Sequence, residues 1–590
     1  MSITPSPLSP AGRADALHRL AAEPLDVLVV GGGVNGCGCA LDAVTRGLRV
    51  GLVEARDLSA GTSSRSSKLF HGGLRYLEQF NFALVFEALK ERSLALNTLS
   101  PHLAKPVPFI YPLTRRVIDR GYAGLGIGVY DMMGAGRGVP HHLRHLGRRK
   151  TLEMFPSGNP EVLTGAISFY EGQVDDARHT MMIGRTAAHY GAAVATSTRV
   201  VGFLRDGDRV VGVRVRDLES GDEFDIRATR TIIAAGVWID ELHAMLRDPS
   251  VPGSMLRPKG LFRVRASKGI HLVVPRDRIT STTGVITRTE KSLLFVIPWG
   301  ERWIIGTTDT DWELDRAHPA ASRADIDYLL GHVNRLLGDP LNRDDVIGVY
   351  AGLRPLLAGE SDSTSKLSRE HAVAEPVPGV VTVAGGKYTT YRVMARDAVD
   401  AAVRGLDATA QPCCTEAVPL LGAEGFRALW NTRPLLAEEL GLSAAQVEHL
   451  LNRYGSLLPE LRDLISERPE LGEPLASAPG YLKVEAVYAA AYEGALHLDD
   501  ILARRTRISI ETWDRGVAAA TEVAGLVAPV LGWGEAEISR EIEHYDKRVD
   551  AERESQNQPD DLAADAARLG APDVRMGRAR PASQSSTGER

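Results

Sequence analysis

A chain of 590 residues exceeds the size at which one hydrophobic core stops growing, so two or more domains are expected. Its 44% hydrophobic and 24% charged content excludes disorder along the whole length, and a formal net charge of -6 gives no general electrostatic reason to bind nucleic acid. Four cysteines exclude a disulfide framework, and with no uninterrupted apolar run of about 18 residues any membrane contact is expected to be peripheral.

Met1 to Pro24 is rich in proline, alanine and serine, lacks the charged start and apolar core of a secretion signal, and is expected to be a flexible leader over residues 1–24. The run Val27-Leu28-Val29-Val30 then predicts a buried parallel strand entering a turn with glycines at Gly31, Gly33 and Gly36, followed by a helix from Cys37 to Arg46. Leu48 to Val53 reads as a second strand. Glu54 closes it about 20 residues past the glycines, where a carboxylate accepts from ribose hydroxyls. In this order the elements make a βαβ unit that wraps a dinucleotide. Gly31 allows the sharp turn, Gly33 lets backbone N–H groups approach a pyrophosphate, Gly36 lets the helix pack close to the strand, and the helix N-terminus faces the phosphates. Cys37-x-Cys39 falls in the first turns of that helix and reads as small packing residues in preference to a metal or redox pair.

The stretch Gly61-Thr62-Ser63-Ser64-Arg65-Ser66-Ser67-Lys68 runs on into Leu69-Phe70-His71-Gly72-Gly73-Leu74-Arg75-Tyr76. Its dense hydroxyls suit a pyrophosphate and its paired glycines the close approach of backbone to a flat ring. The apolar anchors Leu69, Phe70 and Leu74 are more than a solvated linker needs. Asn81 predicts a helix cap, with Phe82, Val85, Phe86 and Leu89 on one buried face. Asp175-Asp176 reads as a structural acid pair around Arg178, and Met181 to Tyr190 as a helix. Strands at Val200-Val201, Arg209 to Arg216 and Glu223 to Arg227, turned at Asp206-Gly207 and Ser220-Gly221, lead into the apolar strand Thr231 to Gly236. His271 to Pro275, Leu293 to Pro298 and Trp303 to Gly306 supply a second sheet facing the cofactor, with the substrate between the two. Gly385-Gly386-Lys387 before Thr389-Thr390 resembles a second glycine turn entering a helix.

Beyond about Gln411 the pattern becomes helical. Ser443-Ala444-Ala445-Gln446 has the form of a capping box before Val447, Leu450, Leu451 and Tyr454, and Val484 to Ala495 and Arg515 to Val530 repeat the periodicity. The expected organisation is therefore a leader over 1–24, an α/β (α+β) unit over 25–410 in which a Rossmann-like dinucleotide-binding domain is interleaved with a substrate-capping β-sheet domain, an all-α domain over 411–550 and a disordered tail over 551–590.

On these residues the chain resembles the FAD-dependent glycerol-3-phosphate dehydrogenases of the D-amino-acid-oxidase-like flavoprotein fold. The resemblance is carried by Gly31 to Gly36, Ser66-Ser67-Lys68 with His71 to Glu78, and Val174 to Arg178. It continues through Lys268-Gly269-Ile270-His271, Gly306 to Asp309, Gly352 to Leu356 and Gly385 to Arg392, and so covers nearly all of Leu25 to Tyr391. Cys37 departs from the alanine or serine usual there, a change of packing and not of chemistry.

The resemblance implies an enzyme that oxidises sn-glycerol 3-phosphate to dihydroxyacetone phosphate with FAD and passes electrons to a membrane quinone, docked at the inner face of the cell membrane, cytoplasmic and dimeric. It implies cofactor contacts at Gly31, Gly33, Asn35, Gly36, Glu54, Thr62, Ser63, Ser66, Ser67, Lys68, His71, Gly72, Gly73, Gly236, Gly386, Lys387, Thr389 and Thr390, and no metal. A phosphate dianion beside a flavin needs fixed cations. Arg75, Arg354 and Arg369 are expected around the substrate phosphate and hydroxyls, with Tyr76 in the substrate pocket and Lys387 near the reacting carbon. His271 is the preferred base, with Lys387 as its rival. The basic stretch of Arg137, His141, His142, Arg144, His145, Arg148, Arg149 and Lys150 is either a lipid-docking surface or a solvated loop. The competing functions are an oxidase using dioxygen, an FAD-containing RNA-modifying protein and a flavin-binding regulator without turnover.

Overall fold

The computed structural model describes residues 6–72, 81–114, 144–247, 262–290, 293–358, 370–406 and 409–577. Within residues 1–24 the chain is helical and not a flexible leader over Pro10–Ala22, here α1. Ser9 caps this helix by accepting from the Gly12 N–H, Pro10 fits its first turn, and Ala16 and Leu20 are buried one turn apart. Arg13 ties it to the Thr196 carbonyl and the Asp217 carboxylate.

From there the chain weaves between two sheets. The strand β1 (Leu25–Val30), the helix α2 (Val34–Thr45) and the strand β2 (Val50–Val53) form the expected βαβ unit, β1 and β2 pairing in parallel with Val27 opposite Val50. The chain then leaves for a second sheet through β3 (Leu69–Phe70), α3 (Phe82–Leu94), β4 (Ala104–Leu113), β5 (Arg144–Gly147) and β6 (Gly165–Val174). It returns along α4 (Asp176–His189) to β7 (Ala193–Ala195), which pairs with β2. A ribbon follows, β8 (Thr198–Asp206), β9 (Arg209–Asp217) and β10 (Glu223–Ile233), with turns where Asp206-Gly207 and Ser220-Gly221 predict them. The first half of β10 pairs antiparallel to β9 and its second half runs parallel to β1.

A second excursion builds β11 (Val264–Pro275), β12 (Gly284–Arg288), β13 (Leu293–Trp299), β14 (Arg302–Gly306), β15 (Thr310–Trp312) and β16 (Gly348–Leu357). The chain closes the first sheet with β17 (His371–Val377) and β18 (Val380–Gly385) before α5 (Tyr391–Val403). Among the described residues the main strand orders are β17-β18-β10-β1-β2-β7 and β15-β11-β14-β13-β12-β4-β6-β3, with β16 on β11 and β5 on β6.

The residues of β1 feed a core on each face, which is why Val27 to Val30 read as one unbroken apolar run. Val27 and Val29 pack with Ala40 and Leu41 of α2, Met182 of α4 and Met394 of α5, while Leu28 and Val30 pack with Leu20, Val213 and Ile226. Each such side chain contributes about 1.5–3 kcal/mol by leaving water. Cys37 and Cys39 are fully buried in the first core, and burial pushes both thiols far above their usual range, as suits packing residues. On α3, Asn81 accepts from the Leu84 N–H as expected and Val85 and Leu89 are buried, but Phe82 and Phe86 are 46% and 49% exposed. The buried stripe is narrower than the sequence suggests.

The C-terminal unit includes α6 (Ala444–Tyr454), with the Ser443/Gln446 capping box in place, α7 (Lys483–Tyr492), α8 (Val517–Leu531), α9 (Glu535–Asn557) and α10 (Asp561–Arg568), plus a small ribbon of Pro474–Leu475 and Ala478–Leu482. The expected disordered tail from 551 is corrected as far as residue 577: α9 continues to Asn557, and Asp560 caps α10 through the Ala563 N–H. Its ordering comes from ion pairs to distant residues, which composition does not register. Residues 578–590 lie outside the described residues. Among the described residues no helix is long and apolar enough to cross a membrane.

The two units are joined by buried charge. Asp57 is fully buried and receives Arg504 at 2.7 Å and both terminal guanidinium nitrogens of Arg505 at 2.7 and 2.8 Å, while Arg178 reaches Glu493. The acid pair Asp175-Asp176 is structural, but its partners are Arg507 and Lys68; Arg178 gives Asp175 only its backbone N–H. His497 bridges Glu541 at 2.9 Å and Glu219 at 3.0 Å. Burial and the nearby Arg575 disfavour the imidazolium, but the two carboxylates prevail and push the pKa up to about 9. A folded pKa above the unfolded value near 6.5 gives stability that is fully present below pH 6.5 and lost as pH rises through 9. The melting temperature is therefore expected to fall between pH 7 and about 9.5, for a loss on the order of 3 kcal/mol, and His497→Gln to flatten that slope. Equal slopes in the two proteins would refute the coupling.

Candidate active site

The carboxyl ends of β1, β2 and β10 open into a cavity of about 760 Å³ that extends to the face of the second sheet. Its floor is the first glycine turn. Gly31 has φ +115°, and a Cβ there would lie 2.7 Å from the Ala234 carbonyl oxygen; a Cβ on Gly36 would lie 1.8 Å from the Gly31 oxygen. Turn and helix thus touch through backbone alone. Gly33 caps α2 in extended conformation, and the Val34 N–H donates to Ser63 Oγ at 2.9 Å. Asn35 lines the cavity, and its buried Oδ1 has no partner among the described residues. Glu54, at the end of β2, accepts from the Gly32 N–H at 2.6 Å and the Arg56 N–H at 2.8 Å.

Of the expected cofactor positions, Gly31, Gly33, Asn35, Glu54, Thr62, Ser63, Ser66, Ser67, His71, Gly236, Gly386 and Lys387 all line this one cavity. Thr389 braces it from behind, its hydroxyl taking the His71 N–H at 3.2 Å, and Thr390 Oγ1 donates to the Lys387 carbonyl. Gly36 acts through packing, and Gly72 is buried but not on the wall. Lys68 is a correction. Its ammonium is fully buried, bonded to Asp176 at 2.8 Å and the Ser64 carbonyl at 3.3 Å, so it fixes the serine-rich loop and does not face the cavity. Gly73, Arg75, Tyr76 and Arg369 lie outside the described residues, as do Arg137, His141 and His142; Arg144, His145, Arg148, Arg149 and Lys150 are exposed, Arg149 and Lys150 beside Glu153.

The second sheet supplies the opposite wall. On β11 and β16, Ser267 pairs with Arg354 and His271 with Tyr350. Arg354 crosses the space left by Gly269, where a Cβ would lie 2.4 Å from its Nη2. Its guanidinium donates to Thr307 Oγ1 at 3.0 Å and the Thr308 carbonyl at 3.1 Å, with Asp309 at 3.6 Å. His271 is 2% exposed, stacks on Tyr350 at 4.7 Å between ring centres, and has Nε2 2.9 Å from Ser67 Oγ. Desolvation first, then the Arg354 and Lys68 cations, hold its pKa well below 6.5, so the ring is neutral around pH 7. Gly385 and Gly386, at φ +75° and +76°, turn the chain from β18 toward α5 and bring the buried Lys387 to the cavity.

Such a cavity can hold a dinucleotide along the α2 N-terminus and place a small anion between Arg354, His271 and Lys387. The unmatched Asn35 Oδ1 and the absence of side chains at Gly31 and Gly33 on the wall fit an extended, phosphate-bearing ligand. Sequence reasoning quoted Thr307 without assigning it a role, and missed Trp238, Arg56 and His318 on the wall along with Leu569, Pro572 and Asp573 from the C-terminal segment. Only Thr307 stood in a motif; the rest carry no local pattern.

Residues 26–396 match the family described as FAD dependent oxidoreductase, and residues 413–538 match the C-terminal domain of alpha-glycerophosphate oxidase. The chain is similar to glycerol-3-phosphate dehydrogenase 2 of Mycobacterium tuberculosis, at 59% identity over 96% of this chain and 95% of that one. It is 36% identical to the mitochondrial glycerol-3-phosphate dehydrogenase of Mus musculus, over 90% of this chain and 74% of the relative. Among solved structures it is similar to glycerol-3-phosphate dehydrogenase from Bacillus halodurans complexed with FAD, with a TM-score of 0.75 and 29% identity, covering 92% of this chain and 98% of the other.

Proposed function

This chain belongs to the FAD-dependent oxidoreductases and, within them, to the glycerol-3-phosphate dehydrogenases, and on that premise we propose that it oxidises sn-glycerol 3-phosphate to dihydroxyacetone phosphate and delivers the electrons to a membrane quinone. The observation that carries the proposal is the meeting of a neutral His271, the Arg354 guanidinium and Lys387 on one cavity that also holds the dinucleotide turn. Bound FAD supplies a hydride acceptor, which the oxidation of a secondary alcohol requires. Gly31, Gly33, Asn35, Glu54, Ser63, Ser66 and Gly386 would hold it.

The protein's own groups divide the remaining work. Arg354, already oriented by Thr307 and Thr308, binds the anionic substrate, and Lys387 adds a point charge from the Gly385-Gly386 turn. By the family resemblance Arg75 and Arg369 complete the phosphate site. His271 Nε2, beside Ser67 Oγ on the same wall, receives the hydroxyl proton as the C–H bond breaks. The β11 and β16 wall keeps water from the reacting carbon. A quinone acceptor agrees with peripheral contact at the inner membrane face, for which the exposed segment 144–150 offers Arg144, Arg148, Arg149 and Lys150 to anionic lipid. The resemblance of residues 413–538 to an oxidase domain favours one second reading, electron transfer to dioxygen.

Adding glycerol 3-phosphate to the purified yellow protein without oxygen is expected to bleach the flavin band. An unchanged spectrum would refute the substrate assignment. Stopped-flow mixing of the reduced protein should then show faster reoxidation by a quinone analogue than by air; the reverse order would establish the oxidase reading.

A further inference from the structure

We propose that the segment Gln558 to Arg575 is a wall of the cofactor site, a strap that retains FAD through a carboxylate acceptor at Asp573 and an apolar cover at Leu569 and Pro572. All three residues line the same cavity as Glu54, Arg56 and His318. Glu54, one strand past the glycine turn, marks the end where a dinucleotide places its ribose. Arg56, whose N–H donates to Glu54, also acts on the Asp573 carboxyl, so the strap lies at the nucleoside end of the cavity, remote in sequence from every glycine motif.

Its two ends are anchored separately. At the start, the Gln558 carbonyl accepts from the Arg323 N–H at 2.8 Å, and Asp561 takes the fully buried Lys268 ammonium at 2.5 Å and the Ser322 hydroxyl at 3.1 Å. Ala564 is buried beside Val237, Trp312 and Leu353. At the far end Arg575 reaches both oxygens of Asp500, at 3.0 and 2.8 Å, and Ser197 Oγ at 2.6 Å. Arg568 holds the intervening turn through the Ala571 carbonyl and His318 Nδ1. Between these fixed points Leu569 remains 55% exposed and takes no part in the anchoring.

The chemistry suits a nucleoside. Ribose hydroxyls and an adenine amine are donors, and a carboxylate is acceptor-only when ionised. Asp573 is kept ionised: burial raises its pKa, but Arg575 and Arg56 overrule it and hold the carboxyl below the usual range. An aliphatic side chain beside it covers the flat face of a base without competing for its hydrogen bonds. Two anchored ends with a cavity-facing middle make a retaining device, whose effect should fall on how long the cofactor stays.

The proposal rests on the reading that this cavity holds FAD. In the full-length holoprotein, Leu569→Ala and Asp573→Asn are each expected to speed flavin release after dilution, read as recovered flavin fluorescence, by roughly tenfold to a hundredfold, while the melting temperature of the flavin-free form changes little. In the unaltered chain, saturating FAD should slow amide hydrogen exchange across Gln558 to Arg575, since what binds behind a strap stabilises its closed state. Unchanged release in both variants, or exchange in this segment that ignores FAD, would overturn the proposal. An unaltered chain that takes up no FAD would overturn the cofactor reading along with it.

Discussion

His271→Asn is expected to lower kcat by roughly 10²- to 10⁴-fold while the purified protein stays yellow, the range spanned by loss of a positioned general base. Asparagine preserves a hydrogen-bonding partner for Ser67 Oγ but has no lone pair basic enough to take a proton. The side chain stands on the second sheet, away from the glycine turn, so flavin content should not fall with activity. A neutral ring is a prerequisite for this role, and burial beside Arg354 and Lys68 provides it. The measurement is kcat normalised to bound flavin absorbance, run beside Lys387→Met. Full activity in His271→Asn with a collapse in Lys387→Met would transfer the base to Lys387. Collapse of the first alone, with a raised KM in the second, would fix Lys387 as a substrate-binding cation.

Local pattern accounts for what is legible in the sequence. The strand Leu25–Val30, the glycine turn and Glu54 lie within thirty residues of one another, so their geometry is dictated by neighbours along the chain, and the same holds for the turns at Asp206-Gly207 and Ser220-Gly221. His271 and Arg354 were identified through motifs, yet their meeting depends on an antiparallel register between β11 and β16 across some eighty residues that no local rule encodes. Lys68 misled because a lysine in a serine-rich loop suggests phosphate, whereas Asp176, more than a hundred residues away, takes the ammonium inward. Residues 551–577 misled for a related reason. Their composition is poor in large apolar groups, but Asp561 meets the buried Lys268 and Arg575 the buried Asp500, and such paired charges order a segment that burial alone would not.

Gly36→Ala is expected to give a protein that has lost most of its flavin and unfolds at a lower temperature, for an overpacking cost of about 1–3 kcal/mol or more. The ideal Cβ falls 1.8 Å from the Gly31 carbonyl oxygen and 2.9 Å from its carbon, and both are backbone atoms that cannot rotate away. Relief requires α2 to move off the turn. That movement withdraws the helix N-terminus, with the Gly33 and Asn35 N–H groups, from the position at which it meets a pyrophosphate, so affinity and stability should fall together. Gly33→Ala is the internal control: its Cβ would meet only Ser63 Oγ, at 3.3 Å, a side-chain atom that has to give by no more than a few tenths of an ångström. Its melting temperature should therefore stay near that of the unaltered protein even if the cofactor binds more weakly. The readouts are the ratio of flavin to protein absorbance and thermal unfolding of each variant. If Gly36→Ala came out fully yellow and equally stable, the backbone contact between turn and helix would not be what positions the phosphate site, and the role given to the helix N-terminus would fall with it.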